Sequence, residues 1–250
     1  MTNLVVRSVL LGVVLTAAGV VFAQQAVDVS QVVCDIERNE FRFEDIHYKM
    51  RIKLIEGGTT TREIEFEVWA KGSDKMLLRI TAPGEVAGTA ILQLGPRTMY
   101  MYNPEDRSVR LIAASARAQG LLGTDYAAAD ASLVGIGDGW TPTLLETTAE
   151  FHKIEVVPDE DDVSPYSKIV IWYDRARQKA TKMEYYLDRQ LAKTITRDGF
   201  VNERGYDDLT HVKVQNERAD RVTDVLITDW EVNAGLDDRM FTKRSLMLGE

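Results

Sequence analysis

The sequence predicts a mainly β protein built on one strongly curved antiparallel sheet, an unclosed half-barrel with a short helical lid over an apolar concavity. Three observations support this fold class. Apolar and polar residues alternate with a period of two through most of the chain after residue 41. Most gaps between these segments have hairpin length, and no helix of crossover length separates successive strands. About twelve strands make a sheet too large to stay flat, so we expect it to curl.

The N-terminal segment differs from the rest of the chain. Arg7 is the only charged residue before Asp28, and an apolar run of about 15 residues follows it up to Val21-Phe22-Ala23, which fits a signal-peptidase site. This run is shorter than the roughly 20 residues that span a bilayer. We therefore expect a cleaved signal peptide over residues 1–23 and one mature domain over residues 24–250. The alternative is a retained membrane anchor.

Composition argues against several classes of function. The chain has 39 acidic and 30 basic residues, and a surface with a formal charge of −9 repels phosphate backbones, so no nucleic-acid partner is expected. The three histidines, His47, His152 and His211, lie in different predicted strands without neighbours at zinc-ligand spacing, so no metal site is expected. No catalytic or nucleotide-binding motif was found, so we expect neither an enzyme nor a cofactor. Cys34 cannot form an internal disulfide and is expected to be a small apolar residue of a helix.

Residues 28–39 predict one amphipathic helix. Asp28 and Ser30 can both act as its N-cap, because their side-chain oxygens can accept from free amides of the first turn. Four apolar residues recur at i, i+3, i+4 and i+7 and form one helical face: Val29, Val32, Val33 and Ile36. This apolar face must be covered by a downstream part of the chain.

After residue 41, the spacing of the apolar residues changes from a period of 3.6, typical of a helix, to a period of 2, typical of a strand. The clearest strand is 62–68, where Ile64, Phe66 and Val68 share one face and glutamates occupy the other. Eleven similar segments are predicted at 47–55, 75–81, 89–94, 97–102, 108–112, 151–157, 167–174, 181–188, 191–197, 208–216 and 222–232. Turn residues such as Glu56-Gly57-Gly58 separate them.

Residues 113–149 interrupt the strands and supply the predicted lid. The alanine-rich stretches 113–118 and 126–131 favour short helices. Between them, residues 120–123 place two leucines between two glycines, which predicts a hinged cover. Few bulky side chains are present to hold this segment down, so we expect it to move; the alternative is a fixed loop whose leucines belong to the core. A further short helical turn is expected at 237–241.

The concave face of the predicted sheet is a candidate ligand site. Slim valine and alanine helices would leave its hollow incompletely filled, although a core filled by side chains is the alternative. Methionines on predicted strands suit a deformable groove. The residues expected to contact ligand are apolar side chains of the hollow face and of the lid: Ile64, Phe66, Val68, Leu78, Ile80, Met99, Met101, Leu121 and Leu122.

Several short motifs follow one another along the mature chain. They are Thr61–Trp69, Lys71-Gly72, Leu78-Arg79-Ile80 with Pro83, Gly88-Thr89-Ala90, Met99–Pro104, Arg107–Ile112, Leu122–Tyr126 and Phe241-Thr242. In this order, and over nearly the whole mature chain, they resemble the LolA-like family of periplasmic outer-membrane lipoprotein-sorting proteins. Members of that family usually follow the Gly-Ser/Thr-Asp motif with polar and acidic residues, whereas this chain has Ala127–Ala131 there.

The resemblance implies a LolA/LolB-like half-barrel and a periplasmic carrier. Such a carrier would bind the acyl chains of lipoproteins or membrane lipid and deliver them toward the outer membrane. Its implied partners are the cargo, an inner-membrane exporter and an outer-membrane acceptor. Two other functions stay open at this point: a lipid-binding accessory partner of a membrane lipid exporter, and a binding module that senses lipoproteins.

Overall fold

Alternating apolar and polar residues build one antiparallel sheet of thirteen strands and a separate two-stranded hairpin. The computed structural model describes residues 27–40, 42–95, 98–113, 120–127, 130, 136, 139–159, 164, 166–203 and 205–248. The strands are β1 (Asp45–Glu56), β2 (Thr59–Lys71), β3 (Lys75–Ala82), β4 (Ala90–Leu94), β5 (Met99–Asn103), β6 (Ser108–Leu111), β7 (Trp140–Thr147), β8 (Phe151–Pro158), β9 (Lys168–Asp174), β10 (Lys179–Leu187), β11 (Gln190–Asp198), β12 (Val201–Glu203), β13 (Tyr206–Asp208), β14 (His211–Asn216) and β15 (Arg221–Val232). The helices are α1 (Val29–Glu40) and α2 (Lys243–Leu248), with 3-10 turns at Leu121–Gly123 and Asp238–Met240.

The strand order is β6-β5-β4-β3-β2-β1-β15-β14-β11-β10-β9-β8-β7, so the first and last strands of the chain pair in the middle. Strands β1–β6 form one wing of the sheet, and the remaining seven form the other. Strands β6 and β7 are the two edges and do not pair with each other, which leaves the sheet unclosed. The mainly β, unclosed antiparallel fold predicted from the sequence is therefore confirmed.

One face of the sheet carries the main core. Phe66 on β2, Ile154 on β8 and Met183 on β10 are fully buried members of a single apolar cluster that contains residues from both wings. Because side chains from widely separated strands contact one another, the sheet curls until its wings face each other across the core.

Helix α1 fills part of the hollow, as its apolar face predicts. The side chain of Asp28 accepts a hydrogen bond from the Gln31 amide at 3.1 Å and caps the helix. Val33 and Ile36 are buried, and the helix packs against β7 and β10 in the second wing. Cys34 lies in this helix, as expected, and its side chain is exposed.

The opposite, convex face carries a smaller core under the C-terminal segment. Leu77, Leu92 and Tyr102 from β3, β4 and β5 pack there against Phe241 and Leu246. The predicted helical turn before the tail is present and is followed by α2. This face would otherwise expose apolar side chains of three strands to water.

Two parts of the strand prediction are wrong. Residues 113–149 were expected to contain no strand, yet β7 (Trp140–Thr147) lies in them. This edge strand contains Pro142 and its side chains are mostly exposed, so it lacks the alternating pattern that predicts a strand. The strand predicted at 208–216 begins only at His211, after the missed β12–β13 hairpin.

The predicted signal peptide lies outside the described residues. Among the residues that are described, no helix is long and apolar enough to span a membrane.

His211 joins three strands on the exposed side of the second wing. Its Nδ1 lies 2.5 Å from Asp198 Oδ1, and its Nε2 lies 2.6 Å from Asp224 Oδ1. The hydrogen bond with Asp224 and the one with Asp198 raise the pKa of His211 above its ordinary value, against the opposing effect of partial burial.

We expect His211→Gln to reveal a pH-dependent contribution to stability. A raised histidine pKa stabilises the fold fully below the unfolded value of about 6.5, and the contribution is lost as pH rises through the folded pKa. The melting temperature of the variant should therefore lie furthest below that of the wild type near pH 6 and approach it near pH 9. A difference that stays constant over this pH range would show that the protonated imidazole contributes nothing.

Candidate functional site

An apolar cavity of about 370 Å³ lies between the concave face of β2–β6 and the turn at Leu121–Gly123. Helix α1 covers the other wing, so this part of the hollow face has no helix of the described chain over it. The cavity is lined by Phe66, Leu78, Ile80, Thr89, Ile91, Met99, Met101, Arg110, Leu111, Ile112, Ala113, Gly120, Leu121 and Leu122. The site is thus an apolar pocket with one guanidinium at its edge.

Seven of the nine residues expected to contact ligand line this cavity: Phe66, Leu78, Ile80, Met99, Met101, Leu121 and Leu122. Ile64 and Val68 share the same face of β2, but they are fully buried in the core away from the cavity. The other seven lining residues were not predicted, among them Arg110 and Ile112. Their pairing with the methionines of β5 places them on the same face, and the period-two pattern of 108–112 could have identified them.

The cover of the cavity is a tight turn held by its own backbone. The Leu121 amide donates to the Tyr126 carbonyl at 2.8 Å, and the Thr124 hydroxyl donates to the Leu121 carbonyl at 2.8 Å. Leu122 adopts a left-handed conformation with φ of 49°, which directs the chain back on itself. From β2, the Arg62 guanidinium donates to the Leu122 carbonyl.

The chain after the turn is held to the second wing by ion pairs. Asp125 accepts from the Arg221 guanidinium at 2.5 and 2.7 Å and from the side-chain Nδ2 of Asn216 at 2.7 Å. Asp130 accepts from the Lys193 ammonium at 2.6 and 2.8 Å, with both side chains buried. The expectation that little holds this segment down is therefore wrong at Asp125 and Asp130, and among the described residues of the segment the leucine turn stays a candidate for movement.

The electrostatics of the Lys193–Asp130 pair follow from its burial. Desolvation alone would lower the pKa of Lys193, but the attraction of Asp130 and the interaction with Tyr166 outweigh it and raise that pKa. The ammonium is therefore charged at neutral pH and keeps Asp130 in place. Because Asp130 also accepts from the Ala127 amide at 2.7 Å, the ion pair fixes the backbone that follows the turn.

We expect Gly120→Ala to disrupt the turn. A Cβ at this position would lie 1.4 Å from the Thr124 carbonyl oxygen, which is backbone and cannot give way without opening the loop. Amide hydrogen exchange at Leu121 and Thr124 should become much faster in the variant. As a control, Gly84→Ala meets no atom within 4 Å at an ordinary φ and should leave these amides protected. Unchanged protection in Gly120→Ala would contradict this geometry.

Comparison with known proteins gives one match by sequence. A family model described as "Uncharacterized protein" matches residues 72–247, which is more than half of the chain. No curated protein matches the sequence.

Solved structures share the architecture at low sequence identity. An outer membrane lipoprotein-sorting protein domain, so described, from Vibrio parahaemolyticus is 21% identical, with 87% of this chain and 97% of that chain covered and a TM-score of 0.78. A DUF1329 family protein from Desulfovibrio piger is 20% identical, with 87% and 97% covered and a TM-score of 0.79. A LolA superfamily protein from Nitrosomonas europaea is 20% identical, with 88% and 100% covered and a TM-score of 0.73. At this identity the likeness shows a common fold.

Proposed function

Because the chain belongs to the family whose model matches residues 72–247 and has a LolA-like fold, we propose that it is a periplasmic carrier of acyl chains. It would bind the acyl chains of lipoproteins or lipids in the apolar cavity and deliver them toward the outer membrane. The observation that carries this proposal is the half-covered hollow face, which keeps an apolar pocket open beside the buried core.

The size and lining of the cavity suit one acyl chain. A volume of about 370 Å³ falls within the roughly 300–1,000 Å³ of typical small-molecule sites. Each methylene removed from water contributes about 0.8 kcal/mol, so a 16-carbon chain would gain roughly 10 kcal/mol before ordering costs. No fixed polar partner is needed for such a ligand, which agrees with the single charged residue at the cavity wall.

A carrier must also release its cargo, and the cavity wall supports this. Met99 and Met101 contribute thioether side chains, which adapt to irregular ligands without a strict fit. We propose that cargo enters by displacing the turn at Leu121–Gly123, whose contacts to the first wing include the hydrogen bond from Arg62. The ion pairs of Asp125 and Asp130 would keep the rest of the segment fixed while the turn moves.

Two further observations support the proposed compartment and partners. The predicted signal peptide over residues 1–23 would export the chain, and the names of two structural neighbours refer to LolA proteins and to outer membrane lipoprotein sorting. An inner-membrane exporter would supply the cargo and an outer-membrane acceptor would receive it.

Native mass spectrometry of the protein purified from its own cell envelope tests this function. We expect an adduct whose mass matches a lipid or an acylated protein, displaced by added palmitate. The N-terminus of the same material should be Gln24. Protein without any adduct that also fails to bind palmitate saturably would contradict the proposal.

A further inference from the structure

A second, polar cavity of about 590 Å³ shares the leucine turn with the apolar cavity. Leu121 and Leu122 line the apolar cavity, Gly123 and Thr124 line the polar one, and Gly120 lines both. The remaining wall of the polar cavity comes mainly from the second wing, at the β10–β11 hairpin and the turn between β14 and β15. A ligand that occupies both cavities therefore has an apolar part and a polar part that join beside Gly120.

Three cations line the polar cavity, although the protein as a whole is acidic. Lys193 is matched by the buried Asp130, which accepts from its ammonium at 2.6 and 2.8 Å. Arg221 is matched in the same way by Asp125. Within the described parts of the chain, the Arg218 guanidinium donates to one backbone carbonyl at 3.1 Å and forms no ion pair. Of the three cations, Arg218 is therefore the one whose charge no carboxylate of the described residues matches.

Both guanidinium groups keep N–H donors for a ligand. Arg221 donates to Asp125 through Nε and Nη2, whereas its Nη1 lies 3.9 Å from Glu56 Oε1, beyond hydrogen-bond distance. Arg218 uses Nη2 for its carbonyl, which leaves its Nε and Nη1 without a partner among the described residues. Planar guanidinium groups match the oxygens of phosphate, and a phosphate ester offers more acceptor oxygens and more charge than a carboxylate. The two arginines therefore indicate a phosphate ester as the ligand of this cavity.

We propose that the polar cavity holds the phosphate of a lipid whose acyl chain lies in the apolar cavity, so that the cargo is a phospholipid. The inference rests on the proposed function of the apolar cavity and adds a headgroup site to it. Because Gly120 borders both cavities, the bond between the acyl chain and the headgroup passes beside a residue without a side chain. The acyl chain then supplies most of the affinity, and the arginines select lipids that carry a phosphate.

The experiment uses three probes that separate the acyl chain from the phosphate. Palmitoyl lysophosphatidic acid carries both, monopalmitoylglycerol carries the chain alone, and glycerol phosphate carries the phosphate alone. Isothermal titration below the critical micelle concentrations measures each probe on the wild type, on Arg218→Gln and on Arg244→Gln. Arg218 does not line the apolar cavity. Arg244 is an exposed arginine of α2, which packs on the convex face, so the same change there is the control.

We expect the wild type to bind lysophosphatidic acid about tenfold more tightly than monopalmitoylglycerol, because the guanidinium groups add charge-assisted hydrogen bonds. Arg218→Gln should lose this preference by weakening the binding of lysophosphatidic acid alone. Arg244→Gln should keep the preference. Glycerol phosphate, which gains nothing from the apolar cavity, should bind about a hundredfold or more weakly than lysophosphatidic acid.

Failure of this inference differs from failure of the proposed function. A wild type that binds both acyl probes equally, or an Arg218→Gln variant that keeps the preference, would overturn the phosphate site while the acyl cavity stands. An equal loss in Arg244→Gln would also overturn it, since the effect would then follow the net charge of the protein. If glycerol phosphate binds as tightly as lysophosphatidic acid, the site takes free phosphate esters and the phospholipid assignment is wrong. If the wild type binds neither acyl probe, the proposed function itself fails.

Discussion

Replacing Arg197 with methionine should lower the free energy of unfolding by about 3–5 kcal/mol. Arg197 on β11 donates to both oxygens of Glu40, at 2.9 and 2.6 Å, and both side chains are buried where α1 ends. Burial alone would raise the pKa of Glu40, but Arg197 and Lys179 hold that pKa below its ordinary value. Without the guanidinium, the Glu40 carboxylate would lose both hydrogen bonds from Arg197 while staying inside the protein, which accounts for the large expected effect.

The pH dependence of this loss of unfolding free energy tests whether the charge of Glu40 causes it. A depressed carboxyl pKa stabilises the wild type above the unfolded value of about 4.3, and the contribution is lost as pH falls through the folded pKa. In the variant, burial raises the pKa of Glu40, so the difference between the two proteins should grow from acidic to neutral pH. Urea unfolding at several pH values measures it. Arg51→Met, which breaks an exposed pair with Glu65, is the control and should change stability by less than about 1 kcal/mol.

A loss below about 1 kcal/mol in Arg197→Met at neutral pH would contradict this account of the helix anchor. So would a loss of the same size at every pH, since it would indicate a packing effect without a contribution from the charge of Glu40.

Replacing Met101 with glutamine should weaken palmitate binding about tenfold or more. Met101 lines the cavity and is 38% exposed, so the side chain at this position contacts water when no ligand is bound, and glutamine keeps nearly the same shape. The amide would lose its water when an acyl chain enters, at a cost of roughly 1–3 kcal/mol. Isothermal titration with palmitate measures the change in affinity.

Met50→Gln is the matched control for this experiment. Met50 is 2% exposed on β1 and belongs to the apolar core of the concave face, but it does not line the cavity. Its substitution should lower stability by roughly 1–3 kcal/mol and leave the affinity of the folded protein unchanged. Equal losses of affinity in both variants would show that palmitate binding does not depend on the cavity.

Local periodicity was sufficient to predict much of the fold. The alternation around Ile64 and Phe66 identified β2 and its buried face, and the spacing from Val29 to Ile36 identified α1. Strand β7 was missed because Pro142 and exposed side chains at an edge remove both signals on which a strand prediction depends.

The arrangement of the candidate site depends on contacts that are distant in sequence. Asp125 meets Arg221 across 96 residues, and Asp130 meets Lys193 across 63, so no local pattern shows that these carboxylates hold the loop. Which wing keeps an open cavity depends on where α1 packs. Within β2, Phe66 lines the cavity, whereas Ile64 and Val68 on the same face do not, and the period-two pattern does not distinguish these three residues.

Photocrosslinking tests the central claim, that an acyl chain binds in this cavity, most directly. The protein would be saturated with a palmitate analogue that carries a diazirine near its methyl end, irradiated, digested and analysed by mass spectrometry. We expect labelled residues from β2 to β6 and from the leucine turn, such as Leu78, Met99 and Leu121, with competition by unlabelled palmitate. Labels confined to the convex face or to α2, or labelling that unlabelled palmitate does not reduce, would contradict it.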